Sequence, residues 1–279
     1  MKKRKWHYIL LIVLMFAGFV GYRIYERLNS DTTAPEIAIA SGMLEVKNLN
    51  DKNELLKGIS AQDAHDGDVT DTLLVESMKY SGKDRKILVT YAAFDAASNV
   101  AKAVREVDYM NYEAPKFTLS KALVFSQNSS EDILKYISAT DILDGDIQHR
   151  IRVTPLSKKS ISEIGKHNVE FKVTNSLGDT EELVIPIETY AHGTYNTNVE
   201  LSDYLIYLDK DSHFSAESYM EQMSCGADKI SLKSISQEGL SVSIKDNVDV
   251  HTPGVYAVDY EVEYLSYRGI SKLIVVVEG

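Results

Sequence analysis

At 279 residues the chain is long for one ordinary domain and sufficient for two or three small ones. With 44% hydrophobic residues and five prolines, its composition is neither collagen-like nor that of a disordered chain. Residues 1–30 carry six basic and one acidic side chain, so a whole-chain net charge of −11 leaves residues 31–279 at −16, which argues against nucleic acid or an anionic lipid surface as their partner.

The chain opens with Lys2, Lys3, Arg4 and Lys5, followed by the charge-free run "WHYILLIVLMFAGFVGY" from Trp6 to Tyr22, which Arg23, Glu26 and Arg27 close. With Ile24 and Tyr25 the run reaches the ~17 to 25 residues that a helix needs to cross a hydrocarbon core. Trp6, Tyr8, Tyr22 and Tyr25 stand where interfacial aromatics belong, and the leading basic cluster predicts a cytoplasmic N-terminus with the rest of the chain outside. A cleaved signal peptide shares the basic start and apolar middle, but no A-x-A-like site follows the run. The expectation is a single-pass anchor over residues 1–30.

An internal repeat organises the remainder. "DTTAPEIAIA" at 31–40 aligns with "NYEAPKFTLS" at 111–120, and "VTYAAFDAASN" at 89–99 aligns with "VEFKVTNSLGD" at 169–179 at the same offset. "SAQDAHDGDVT" at 60–70 and "SATDILDGDIQ" at 138–148 carry matching aspartate clusters at nearly that offset. The runs "EIAIA", "MLEVKN", "TLLVES", "KILVTYAAFD" and "VAKAVREVDY" read as strands separated by Gly, Asn, Asp and Ser turns, and about six or seven short strands per repeat favour a two-sheet sandwich. "DKNELLKG" and "SSEDILKY" each hold one helical turn, with Asp51 and Ser130 as expected caps.

A third repeat is legible from one strand. Val89, Tyr91 and Ala93, then Val169, Phe171 and Val173, then Val258, Tyr260 and Val262 alternate with outward positions, each with an aromatic plug in the middle. The predicted division is 1–30 tail and anchor, 31–110, 111–190 and a divergent 191–279, each repeat with its own core. The fold class expected is all-β: tandem Ig-like β-sandwiches following an N-terminal transmembrane helix.

The order "TAPEI…SAQDAHDGDVT…LVTYAAFDAASNVAKAV" resembles the bacterial Ig-like repeat found in tandem in surface proteins of Gram-positive bacteria and named after a domain of a pesticidal crystal protein. That family's pattern runs from a Pro-led strand through A-x-D-x-x-D-G-D-V/I-T to Y-x-x-x-D-x-A-G-N. Ser98 stands where the family has Gly, and the second repeat has Thr174, Asn175 and Gly178 in a drifted final motif. The third repeat has lost the aspartate triplet. The resemblance implies an Ig-like fold and a surface protein, and it names no ligand.

Asp63, Asp66, Gly67 and Asp68, with Asp141, Asp144, Gly145 and Asp146, read first as turn structure. Gly67 and Gly145 supply positive φ, the short carboxylates accept backbone N–H groups, and Val69 and Ile147 re-enter the sheet. Calcium is the alternative, since closely spaced hard oxygens suit it; the spacing is not that of an EF-hand loop, and two or three carboxylates fall short of six to eight ligands. No other cofactor is expected.

No enzymatic motif is present. The seven histidines, His7, His65, His149, His167, His192, His213 and His251, lack a helical metal spacing, and His65 is replaced by Leu143 in the sister loop. Cys225, the single cysteine, cannot form an intramolecular disulfide and reads as an idle thiol. The expected function is therefore a non-enzymatic, membrane-tethered extracytoplasmic protein acting as surface stalk and adhesion module for a protein or glycan at the cell envelope. One alternative is an accessory subunit of an envelope or polysaccharide-assembly machine, docking through "SDYLIYLDKDSHFSAESYMEQM" with Tyr204, Tyr207, Phe214, Tyr219 and Met220. Another is a carbohydrate-acting enzyme using paired carboxylates.

Overall fold

In the computed structural model the apolar run after the basic cluster is one helix, α1 (Lys2–Asn29). The structure describes residues 2–83, 85–129, 131–156, 159–233 and 238–279, with backbone alone for residues 2–5, 7, 28 and 29. The side chains of Lys2, Lys3, Arg4 and Lys5 and the expected cap Ser130 lie outside the described residues. From Tyr8 to Arg27 the mean hydropathy of α1 is 1.9, and none of the span is buried within the protein. A helix apolar on all sides has no solvent face, so it is long and apolar enough to cross a membrane. A signal sequence passes the same test.

The chain forms two compact units, Met1–Asn111 and Tyr112–Gly279. In the first, β1 (Glu36–Ile39), β2 (Leu44–Val46), the short helix α2 (Lys52–Leu55), β3 (Ile59–Asp63), β4 (Gly67–Asp68), β5 (Leu74–Tyr80), β6 (Lys86–Phe94) and β7 (Val100–Tyr109) follow in order. They make two sheets, β1-β3-β4 and β2-β7-β6-β5, in which β2 runs parallel to β7 and every other pair is antiparallel. Period-two alternation sends Ile87, Val89, Tyr91 and Ala93 of β6 inward, and Val46, Leu55, Ala61 and Val107 are buried as well, all eight fully or almost fully. Asp51 caps α2 by accepting the N–H groups of Asn53 and Glu54 at 3.0 and 3.3 Å. Strand β3 is absent from the expected runs, because "ISAQD" turns only Ile59, Ala61 and a carboxylate, Asp63, toward the core.

The second unit repeats this wiring. The strands β8 (Lys116–Leu119), β9 (Val124–Ser126), β10 (Ile137–Asp141), β11 (Gly145–Asp146), β12 (Arg152–Pro155), β13 (Gly165–Thr174) and β14 (Thr180–Tyr190) form the sheets β11-β10-β8 and β12-β13-β14-β9, with β9 parallel to β14. Then come β15 (Thr197–Leu201), β16 (Leu205–Asp209), β17 (Met220–Cys225), β18 (Asp228–Ser231), β19 (Leu240–Lys245), β20 (Gly254–Tyr264) and β21 (Tyr267–Glu278). Here hydrogen bonding runs continuously through β18-β17-β15-β21-β20-β19, with β16 also parallel to β21. The start of β21 pairs with β15 (Thr197 to Gly269, Asn198 to Ile270) and its later part with β16, so two layers meet at a corner. Gly269 makes the corner possible: a Cβ there would lie 2.6 Å from Cγ2 of Val199.

The expectation of one core per repeat needs correction in this unit. Leu205 and Ile274 of the third repeat pack into the cluster of Phe117, Ile137, Val169, Phe171 and Ile185, with Tyr207, Ala257 and Val276 against it. Strand alternation identifies an inward face without saying which neighbour covers the other, and β16 and β21 bury both. Beside this shared core, Lys272, 1% exposed, pairs with Asp259 and reaches Glu188 at 3.2 Å, while Lys166 holds the other oxygen of Asp259 at 3.0 Å.

Candidate functional site

The two aspartate loops have the same backbone. Oδ1 of Asp63 accepts the N–H groups of His65 and Asp66 at 2.8 and 2.9 Å, and Oδ1 of Asp141 accepts those of Leu143 and Asp144 at 2.9 and 3.0 Å. Gly67 and Gly145 sit at φ of +79° and +69°, as a tight turn requires. Oδ1 of Asp68 accepts from the Thr70 N–H at 3.0 Å and Oδ1 of Asp146 from that of Gln148 at 2.9 Å. Val69 and Ile147 do not resume a strand. Each donates its N–H to a strand carbonyl, Ala61 or Ala139, buries its side chain and caps a single 3-10 turn.

The loops differ in what faces them. In the second repeat Nδ2 of Asn175 donates to Oδ2 of Asp141 at 3.0 Å and to the Tyr112 hydroxyl at 3.2 Å, and that hydroxyl donates to Asp179. Oδ2 of Asp144 accepts from the Ser176 N–H and from Arg150, each at 2.6 Å. Burial would raise the pKa of Asp144, but those partners outweigh it and hold the group below its ordinary value. Burial and Asp179 together push the Tyr112 phenol far up, so it stays a donor. The network is closed.

In the first repeat Asp95 stands at the position equivalent to Asn175, and Asp31 enters from the segment before β1. Asp31, Asp63, Asp66 and Asp95 each offer a carboxylate oxygen within 4.8 Å of the others. Like charges that close repel one another, the more so where protein displaces water. Among the described residues no lysine or arginine pairs with any of the four; His65 Nδ1 lies 3.5 Å from Asp66 Oδ1. Asp95 accepts the backbone and side-chain N–H of Asn99, both at 2.7 Å, and Asp66 Oδ2 accepts the Ala96 N–H at 2.8 Å. Asp31 Oδ1 accepts from Thr33 Oγ1 and N at 2.6 and 2.9 Å, which lowers its pKa. Oδ2 of Asp31 and Oδ2 of Asp63 are buried without a partner, and Asp63 as a whole is 7% exposed.

Sequence spacing found Asp63 and Asp66 but not Asp31 and Asp95, which the fold brings from well before and well after that loop in the chain. The "DAASN" that closes β6 was the available signal, as a second acidic turn in the same repeat. A groove in the second unit, lined among others by Lys121, Val124, Tyr190, Glu200 and Tyr204, combines aromatic rings with charges of both signs.

No protein-family model matches the chain. Over 117 residues, 42% of this chain and 15% of the other, it is 29% identical to an uncharacterized 81.3 kDa protein of Acholeplasma phage L2. Among solved structures it is similar to Drosophila N-cadherin EC1-4, with a TM-score of 0.22 and 14% identity over 79% of this chain and 69% of that one. Another is the CBM51-2 and INT domains of Clostridium perfringens ZmpB in complex with GlcNAc, with a TM-score of 0.21 and 14% identity over 57% and 42%. Likeness this distant carries no argument about activity. The chain's own sheets define its class, an all-β protein of Ig-like sandwiches behind one apolar helix.

Proposed function

We propose that the protein is a non-enzymatic, membrane-tethered surface protein whose tandem Ig-like sandwiches, of the type named after the pesticidal crystal protein domain, act extracytoplasmically as stalk and binding module. The observation that carries this is α1: a span of mean hydropathy 1.9, unburied by the protein, followed directly by sandwich domains. The basic cluster before it supports a cytoplasmic N-terminus, and the −16 charge of residues 31–279 supports a protein or glycan partner over nucleic acid. The groove with Tyr190, Tyr204, Lys121 and Glu200 is a surface of the mixed character such ligands use. Docking through residues 202–223 has less support, because Tyr204, Phe214 and Tyr219 pack on the third repeat's core, Met220 lies within it and Tyr207 packs on the shared core.

The test is the full chain with a C-terminal tag, expressed in a bacterial host. The reading expects the tag to sediment with membranes and to be removed from intact cells by added protease. It also expects the detergent-solubilised chain to retain wall glycan or an envelope protein. Release of an intact exported domain into the medium would replace the anchor by a signal peptide, and sugar release from wall material would replace binding by catalysis.

A further inference from the structure

The geometry points to a calcium site in the first repeat, formed by Asp31, Asp63, Asp66 and Asp95. Four carboxylates converge within 4.8 Å, and two of their oxygens, Oδ2 of Asp31 and Oδ2 of the almost fully buried Asp63, have no donor. A buried anionic oxygen without a partner is rare because nothing repays its desolvation. The sister loop shows what closure by protein groups looks like: there Asn175 supplies a donor to Asp141 and Arg150 a cation to Asp144. The first loop has the same backbone, an aspartate where the asparagine is and Thr72 where the arginine is, so it lacks both the donor and the fixed cation that close the sister loop, and a bound cation would supply what they do there.

The donor set selects the ion. Four carboxylates held by separate backbone segments are hard oxygen ligands in an irregular arrangement, which calcium accepts in its flexible shell of six to eight oxygens, whereas magnesium demands near-ideal octahedral geometry. Water and backbone carbonyls can complete the calcium shell. The turn role of the loop is untouched. Oδ1 of Asp63 serves the backbone and Oδ2 serves the ion.

The experiment uses the full chain in detergent, stripped with EGTA, titrated calorimetrically with CaCl2 and with MgCl2, and melted in each. One calcium should bind per chain, more tightly than magnesium, and the midpoint of the first unit should rise by at least about 4 °C while that of the second stays put. Asp63→Asn keeps an Oδ1 acceptor for His65 and Asp66, and Asp95→Asn copies the sister loop, so both should fold in EGTA. Each should weaken calcium at least roughly tenfold. Asp144→Asn should leave the affinity unchanged. The assignment is overturned by superimposable melts in EGTA and calcium, by equal affinity for magnesium, or by parental calcium affinity in both Asp63→Asn and Asp95→Asn.

Discussion

The hydroxyl of Tyr91 donates to the carbonyl of Leu55 at 2.9 Å, and that of Tyr260 donates to the carbonyl of Ala216 at 2.8 Å. In the first and third repeats, therefore, the aromatic plug of the central strand also fastens a short helical turn, α2 in the first and the 3-10 turn Ala216–Tyr219 in the third. Tyr260, pushed well above an ordinary phenol by burial, remains protonated for this role. Phe171, the plug of the second repeat, has no hydroxyl. Tyr91→Phe and Tyr260→Phe should each cost about 1 to 3 kcal/mol by orphaning a buried carbonyl, and the Ala variants about 3 to 5 kcal/mol. Chemical unfolding followed by circular dichroism measures both, and a Phe variant as stable as the parent would show the bond to be idle.

Ser98 and Gly178 are a natural swap experiment. They occupy the same turn of the first and second repeats, at φ of +68° and +82°, where an L side chain is strained and glycine is not. Ser98→Gly should stabilise the first unit by about 0.5 to 1 kcal/mol, and Gly178→Ser should destabilise the second by about 1 kcal/mol. Equal signs for the two substitutions in thermal unfolding would mean that the turn's hydrogen bonds, not its dihedral, set the preference.

What could be read in advance and what could not divides along sequence distance. The alternation of β6, β13 and β20 places Tyr91, Phe171 and Tyr260 inward from the sequence alone, because a strand face is a local property. Asp51 was legible as a cap for the same reason. The meeting of Asp31, Asp63 and Asp95 was not, since they lie before β1, at the end of β3 and just past β6, and only the fold brings these chain positions together. Nor was the corner at Gly269, because an isolated glycine in a strand looks like a packing defect until the strand it admits, β15, is known.

Lys272 provides a test of the shared core of the second unit. It is 1% exposed, and its partners Asp259 and Glu188 come from β20 and β14, on either side of the boundary between the second and third repeats. Desolvation would raise the pKa of Asp259, yet Lys272 and Lys166 outweigh it and keep the carboxyl below its ordinary value. Its stabilisation is therefore present above the unfolded pKa near 3.8 and lost as pH falls through the lower folded value. Lys272→Ala should cost the second unit about 3 to 5 kcal/mol by stranding a buried carboxylate, and Lys272→Met combined with Asp259→Asn should recover a large part of that loss. An additive double variant in urea unfolding would show that the pair is not coupled.

Glu181 gives the second unit a pH dependence of the opposite kind. Burial first, then the negative charges of Asp179 and Glu278, push its carboxyl up from 4.5 to about 7, with Lys116 opposing them. Between those two values the folded chain holds a proton that the unfolded chain has already released, so raising the pH across the window removes stability, and the loss is complete above about 7. Allowing for partial exposure, the drop is roughly 2 kcal/mol. Glu181→Gln carries no titrating group there, and it should match the parent near pH 4 and exceed it by about that amount at pH 8. The deciding measurement is urea unfolding of both proteins at pH 4, 6 and 8. A constant difference across the three would place the effect in packing, whereas one that grows with pH locates a half-buried, proton-holding carboxyl near Glu278 at the end of β21.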